Sequence, residues 1–343
     1  METRLESVAA PQVVTYDPHI LRNVPILVIH AHSSCNCRCV MCDIWKVRDQ
    51  KFFGLRELVP QIDSIRQLGV RWIVFSGGEP LMNPELPKMC DLLRTQGIRL
   101  TLLTTGLLLK KQACDVASGF DDVIVSLDGP PPVHNAIRRV DRAYELLQEG
   151  VESLRAKKPT MRIAARSTVQ KANHSYLCET ARTASHLGLQ QVSFLAADLT
   201  STAFNRDLVW PESRQSEIGL SLQEIATLEG EIESLIRISE IEFAPGFVAE
   251  SAQKLRRLAN HFRAHLGLEK PQSPPCNAPW VSAVVEADGT VRPCFFHSPI
   301  GRLHDAPLEA VLNTPKARAF RENLDIPSNP VCRNCVCSLN YRA

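Results

Sequence analysis

The chain has 343 residues, 44% hydrophobic and 22% charged, a balance that excludes disorder and suits one large barrel or two ordinary domains. A formal net charge of +2 at pH 7 gives no reason to expect nucleic acid or an anionic membrane as partner. No apolar run approaches the ~20 residues needed to cross a bilayer, and the start, with Glu2, Glu6 and early prolines, lacks the basic-then-apolar build of a secretory signal.

An N-terminal extension, residues 1–23, leads to a first buried strand at Ile26 to His30. Leu55 to Leu68 has helical periodicity, and Trp72 to Phe75 is a second strand ending at Gly77 and Gly78. Pro84 to Thr95 reads as a helix with proline near its start, where a missing N–H costs little. Further strands are expected at Arg99 to Leu103, Asp122 to Ser126, Arg162 to Val169 and Gln191 to Leu195. Helical stretches separate them: about Lys110 to Ala117, a long one from His134 to Lys157, and Ser175 to Leu187, closed by Gly188. Six β/α units in a row call for parallel strands with helices outside, because parallel neighbours need crossover connections.

Near Asn205 the pattern changes. Amphipathic helices are expected over Ser221 to Arg237 and Ala249 to Leu266, then a proline-rich hinge from Lys270 to Pro275. In the tail, Asp288-Gly289 between Val281 to Val285 and Val291 to Cys294 signals a hairpin. The expected organisation is an α/β partial barrel over 24–205, a helical connection over 206–271 and a small cysteine-rich domain over 272–343.

The expected compartment is the cytoplasm, which keeps thiols reduced, so the twelve cysteines are not a disulfide framework and those that cluster point to metal. Cys35, Cys39 and Cys42 follow the first strand, separated by three and then two residues. Such a loop can ligate three irons of a cubane and leave the fourth open, as a catalytic centre needs. The alternative is a structural zinc knuckle drawing on Cys37 or His32, but Cys37 is awkwardly spaced between two of the others. Cys37 is otherwise a spectator of the loop. Cys90, Cys114 and Cys178, on expected helices, read as buried structural thiols.

Cys-x3-Cys-x2-Cys leaving the first strand of a β/α barrel resembles the signature of the radical S-adenosylmethionine (SAM) superfamily. The resemblance implies a partial (β/α)6 TIM-like barrel with a [4Fe–4S] cluster on three cysteines and SAM on the open iron. It implies reductive cleavage of SAM to a 5′-deoxyadenosyl radical that abstracts a substrate hydrogen. Ser76, Gly77, Gly78 and Glu79 resemble the glycine-rich motif whose backbone and acid receive the SAM ammonium. Thr104-Thr105-Gly106 ends the third strand. Ser126 and Asp128 lie in a segment resembling the one that contacts the SAM ribose or methionine part. Met41 takes the adenine-contacting position, and Ser167 and Leu195 are further SAM contacts at strand ends, where barrels gather their sites. His134 and Arg138 resemble a His-x3-Arg element near the active site and stand as catalytic candidates.

The tail resembles the SPASM/Twitch extension, a small hairpin domain binding auxiliary iron–sulfur clusters. Cys276, Cys294, Cys332 and Cys335 are the expected ligands of one auxiliary cluster of [4Fe–4S] type, with Cys337 competing for the place of Cys335 and zinc as the alternative metal. His297 reads as a polar loop histidine, and Trp45 as packing against the barrel. The implied reaction is oxidation, crosslinking or epimerisation of a peptide or small-molecule precursor, with an external one-electron donor such as flavodoxin or ferredoxin. The alternatives are activation of a partner protein, as in anaerobic sulfatase maturation, or a non-enzymatic iron–sulfur or zinc scaffold. About 24 residues before the first strand are short for a peptide-recognition domain, so leader recognition is expected to fall to a separate protein.

Overall fold

The computed structural model describes residues 17–337 and 339–342, so that 1–16, most of the expected N-terminal extension, lie outside the described residues. Six parallel strands form the body: β1 (Ile26–His32), β2 (Trp72–Gly77), β3 (Arg99–Thr104), β4 (Asp122–Ser126), β5 (Arg162–Val169) and β6 (Gln191–Ala196). They stand in chain order across the sheet and do not close, so the barrel is partial. Successive strand residues face opposite sides. Leu27, Ile29, Ile73, Phe75, Val123 and Val125 are therefore buried under the helices, while Val28, His30, Val74, Ser76, Ile124 and Ser126 face the more open concave side.

The helices on the outer face run in chain order: α1 (Leu55–Leu58), α2 (Ile62–Gln67), α3 (Leu86–Arg94), α4 (Ala113–Gly119), α5 (Pro131–Arg138), α6 (Ala143–Lys157) and α7 (Leu177–His186). Two departures from the sequence pattern have local causes. The periodic stretch from Leu55 to Leu68 is interrupted by a 3-10 turn at Val59–Gln61, because Pro60 cannot donate in an α-helical ladder. The long stretch from His134 to Lys157 is two helices, divided where Arg139 (φ 52°) and Arg142 (φ 58°) enter the left-handed region. That break exposes carbonyls at the end of α5, which the cysteine loop uses.

After β6 come α8 (Glu212–Ile218), α9 (Leu222–Ile241) and α10 (Ala252–His265). Ser221 caps α9 in a reciprocal capping box with Glu224. The tail hairpin consists of β7 (Ser282–Val285) and β8 (Thr290–Arg292), and β9 (Gly301–Arg302) pairs with β8. β7 also pairs in parallel with β1, from Ile26↔Ser282 to Ile29↔Val285. The tail thus continues the barrel sheet instead of forming a detached unit, which spacing along the chain does not reveal. Of the three helix thiols read as buried, Cys90 and Cys178 are; Cys114 is exposed.

Candidate cluster and cofactor site

The cysteine loop leaves the C-terminal end of β1 and is held by backbone hydrogen bonds on both flanks. Arg38 and Val40 donate N–H to the carbonyls of Arg138 (3.1 Å) and Ile137 (3.0 Å), the free acceptors at the end of α5. Trp45 donates its indole N–H to the carbonyl of Cys42 (2.8 Å), a more specific role than packing. Cys37 is 1% exposed, and its thiol lies within hydrogen-bond reach of both Cys35 and Cys39. A hydrogen bond with Cys37, with Arg138 nearby, holds the Cys39 thiol down at about 7, whereas burial pushes Cys42 up to about 12.

The Gly77-Gly78-Glu79 turn clasps the backbone entering this loop. Gly78 and Glu79 donate N–H to the carbonyls of His32 (2.8 Å) and Ser34 (2.9 Å). A Cβ on Gly78 would lie 1.9 Å from the Ser34 carbonyl oxygen, and one on Gly77, at φ +115°, 2.7 Å from that of His32. The close approach that these glycines permit is to the protein's own chain. Gly78→Ala is expected to destabilise the protein by about 1–3 kcal/mol by overpacking and to reduce iron uptake at the cysteine loop. Chemical unfolding and iron assays of the reconstituted variant check this.

Glu79 requires a correction. Its carboxylate is fully buried and accepts from Leu81 N–H (3.1 Å), the Thr104 hydroxyl (2.7 Å), Thr105 N–H (2.7 Å) and the Thr105 hydroxyl (2.8 Å). Both oxygens are thus taken by protein donors, so the side chain ties β2 to β3 and is not free to receive an ammonium. Backbone of the motif, with Ser76 on the concave face, is what remains for that contact.

Asp128 is corrected on the same ground. It is 0% exposed; one oxygen accepts from Thr168 N–H (2.9 Å) and the other lies 2.5 Å from Arg138 Nη2. The two catalytic candidates are also internal. His134 is 0% exposed, its Nδ1 accepts the N–H of Asp128 (3.2 Å), and burial lowers its pKa to about 3, which keeps the ring uncharged at neutral pH. Arg138 places Nη1 3.5 Å from Cys39 Sγ. Neither reaches the concave face as an acid or base.

Ser126 and Leu195 face the concave side, and Met41 is half-buried in the loop. Ser167 does not share that side: it is 1% exposed, on the helix-packed row with Ala165 and Val169, and its neighbours Arg166 and Thr168 face inward instead. The chain after β6 crosses back over the site. Arg206 is paired with Asp198 (2.6 Å) and lies 3.6 Å from the Trp210 ring centroid; Trp210 donates to Asp43 (2.7 Å), next to Cys42. Phe204 on this strap meets Phe295 from the tail (4.9 Å between centroids), which in turn meets His30 of β1 (5.4 Å). Sequence reasoning missed Trp210 and Phe204, which are remote in sequence from any motif, and Phe295, which directly follows Cys294.

In the tail, Cys276, Cys294, Cys332 and Cys335 line a single cavity with Phe296 and His297. Cys337 is exposed and not among its lining, and its carbonyl accepts from the Cys335 thiol (3.3 Å). His297 is not a loop bystander: its Nε2 is 3.3 Å from Cys332 Sγ, and its ring packs edge-on against Phe320. Its place two residues past Phe295, beside Cys294, was the available signal.

The residues fit iron–sulfur groups on structural grounds. Among the described residues no three His, Cys, Asp or Glu side chains converge on one metal-ion position. The tail thiols surround a cavity instead of a point, which suits a multi-iron group better than zinc. At the first loop, Asn36 Nδ2 and Arg138 Nε are buried donors without partners, suited to an electron-rich sulfur group. Among the described residues no helix is long and apolar enough to cross a membrane.

Comparison with known proteins agrees. The family model of the radical SAM superfamily matches residues 31–182, and that of the SPASM iron–sulfur cluster-binding domain matches 276–336. Fe-coproporphyrin III synthase of Methanosarcina barkeri is 28% identical over 154 residues, 43% of this chain and 38% of that protein. A probable GTP 3′,8-cyclase of Methanococcus maripaludis is 34% identical over 34% of this chain and 41% of its own. The AdoMet-dependent heme synthase of M. barkeri is 28% identical over 59% of this chain and 62% of its own. The chain therefore spans about two-fifths to three-fifths of these relatives' length. In fold it is similar to Streptococcus suis SuiB bound to precursor peptide SuiA (TM-score 0.66, 13% identity, 94% of this chain and 73% of that one). It is likewise similar to anSMEcpe with bound AdoMet (TM-score 0.65, 17% identity, 89% and 84%).

Proposed function

We propose, for a chain that belongs to the radical SAM enzymes and ends in a SPASM domain, that it abstracts hydrogen from a peptide or small-molecule precursor in order to oxidise, crosslink or epimerise it. The observation that carries this reading is the presence of two thiol groups on one continuous sheet: Cys35, Cys39 and Cys42 at the end of β1, and four tail thiols, Cys276 before its neighbour β7 and Cys294, Cys332 and Cys335 after it, around one cavity. When bound, a [4Fe–4S] cluster and SAM supply the electron and the 5′-deoxyadenosyl radical for that abstraction.

The residues of this chain do the rest. Cys35, Cys39 and Cys42 would hold three irons, with the loop fixed by α5, Trp45 and the glycine turn. Ser76, the backbone of Gly77 and Gly78, Ser126, Met41 and Leu195 would orient SAM from the concave face. The strap from Asp198 to Trp210 covers the loop and limits water there, with its aromatic contact to the tail closing the side the sheet leaves open. Cys276, Cys294, Cys332 and Cys335 would fill all positions of one auxiliary cluster, leaving it an electron carrier fed from or feeding an external donor such as flavodoxin or ferredoxin. A cleft at the end of β6 is lined by four cations, Lys254, Arg257, Lys270 and Arg333, against one carboxylate, Glu269, and this balance favours a substrate bearing carboxylates. That chemistry is common to an acidic peptide and to a carboxylated small molecule.

Anaerobically reconstituted protein given dithionite and SAM is expected to release 5′-deoxyadenosine, even uncoupled from substrate. Its absence, with iron fully loaded, would sink the reading.

A further inference from the structure

A buried arginine needs a reason. Moving a charge of that size out of water carries a desolvation penalty that persists after relaxation, and Arg138 is only 7% exposed, with its partner Asp128 at 0%. Neither side chain reaches solvent or the concave face, so the pair is not an acid–base couple for a substrate. Its one outward contact is with sulfur: Nη1 of Arg138 lies 3.5 Å from Cys39 Sγ.

Backbone hydrogen bonds and an ion pair fix that contact. Arg38 N–H to Arg138 O and Val40 N–H to Ile137 O bracket Cys39 in register with the last turn of α5. Asp128 holds the other end of the guanidinium at 2.5 Å. Asp128 is itself held by Thr168 N–H on its carboxylate, by its own N–H on His134, and by Asn173, whose side chain donates to its carbonyl (2.9 Å). His134 and Asp128 thus serve to aim Arg138.

We propose that Arg138 is a positioning residue that sets the reduction potential of the cluster held by Cys35, Cys39 and Cys42, its guanidinium raising that potential and Asp128 moderating it. This rests on the reading of that loop as a cluster site. The step is a one-electron reduction by the external donor with no bond made and no proton moved; the cluster gains one negative charge. A fixed N–H donor and positive charge at a ligating sulfur stabilise the reduced form more than the oxidised one. A carboxylate behind the guanidinium cancels part of that field.

The two substitutions move the potential in opposite directions, which a merely structural role does not do. Arg138→Met removes the donor and leaves the Asp128 charge, so the potential falls. Asp128→Asn keeps a hydrogen-bond acceptor for Arg138 and leaves the cation uncompensated, so the potential rises. The experiment is an EPR-monitored dithionite titration of the full reconstituted chain, following the signal that SAM perturbs and so separating it from the tail cluster. At the wild-type midpoint the reduced-to-oxidised ratio is expected to fall about tenfold in Arg138→Met, which is 59 mV for one electron, and to rise in Asp128→Asn. If Arg138→Met loses its iron, Asp128→Asn decides alone: a raised potential supports the proposal, and an unchanged or lowered one overturns it. If no signal of the wild-type protein responds to SAM, the cluster reading itself fails. If the signal responds but neither variant shifts it, only the role of Arg138 fails.

Discussion

Cys39→Ala is expected to abolish 5′-deoxyadenosine formation and to remove about four irons per chain, the content of one cubane. A three-ligand site has no spare protein ligand, so losing one thiolate would leave two irons without a protein ligand and the cluster labile. Cys37 is the demanding control, because its thiol lies within reach of both Cys35 and Cys39 and is just as buried. Cys37→Ala should keep its iron and its SAM cleavage within about twofold of wild type, as a packing thiol would. Iron and sulfide analysis beside product chromatography reads both variants, and equal losses in the two would overturn the ligand assignment. The tail site should stay loaded in each, since its thiols line a separate cavity.

Arg206→Met should cost about 3–5 kcal/mol of stability, the penalty for stranding one partner of a buried ion pair. The side chains of Arg206 and Asp198 are 1% and 3% exposed and 2.6 Å apart. Arg206 also donates to the carbonyls of Asp198 (3.0 Å) and Ser201 (3.2 Å). Left alone, Asp198 would carry an unpaired charge in an apolar setting. The double variant Asp198→Leu with Arg206→Met should recover most of the loss, because it removes both charges. Urea unfolding distinguishes the cases. Near-equal stability of the single and double variants would mean that the strap is held by Trp210 stacking instead. Iron uptake should fall with the single variant too, since Trp210 reaches Asp43 beside Cys42.

Much of the fold was legible in the chain. Alternation of short apolar runs with amphipathic ones is a local property, and β4 and β5 begin and end where the pattern placed them. Boundaries failed where the cause was local but silent in hydrophobicity: Pro60 breaks one helix, and two left-handed arginines break another. The union of β7 with β1 could not be read, because pairing of strands some 250 residues apart leaves no periodic trace.

The site divides in the same way. The sequence by itself singled out Cys35, Cys39 and Cys42 by their offsets as the ligands of the proposed cluster, and it placed a second group of cysteines in the tail. Tertiary structure alone decided what the other motif residues do. Glu79 and Asp128 are carboxylates at strand ends, but burial surrounds them with partners from other elements: hydrogen bonds from Thr104 and Thr105 to Glu79, and a hydrogen bond from Thr168 with an ion pair to Arg138 for Asp128. Ser167 falls on the alternate row of β5, with Ala165 and Val169, whose side chains meet the helix layer and not the concave face. His134 and Arg138 are buried away from the concave face because α5 ends against the cysteine loop. A motif names the residue types. Which way each one points is settled by hydrogen bonds and packing from segments far away in the chain.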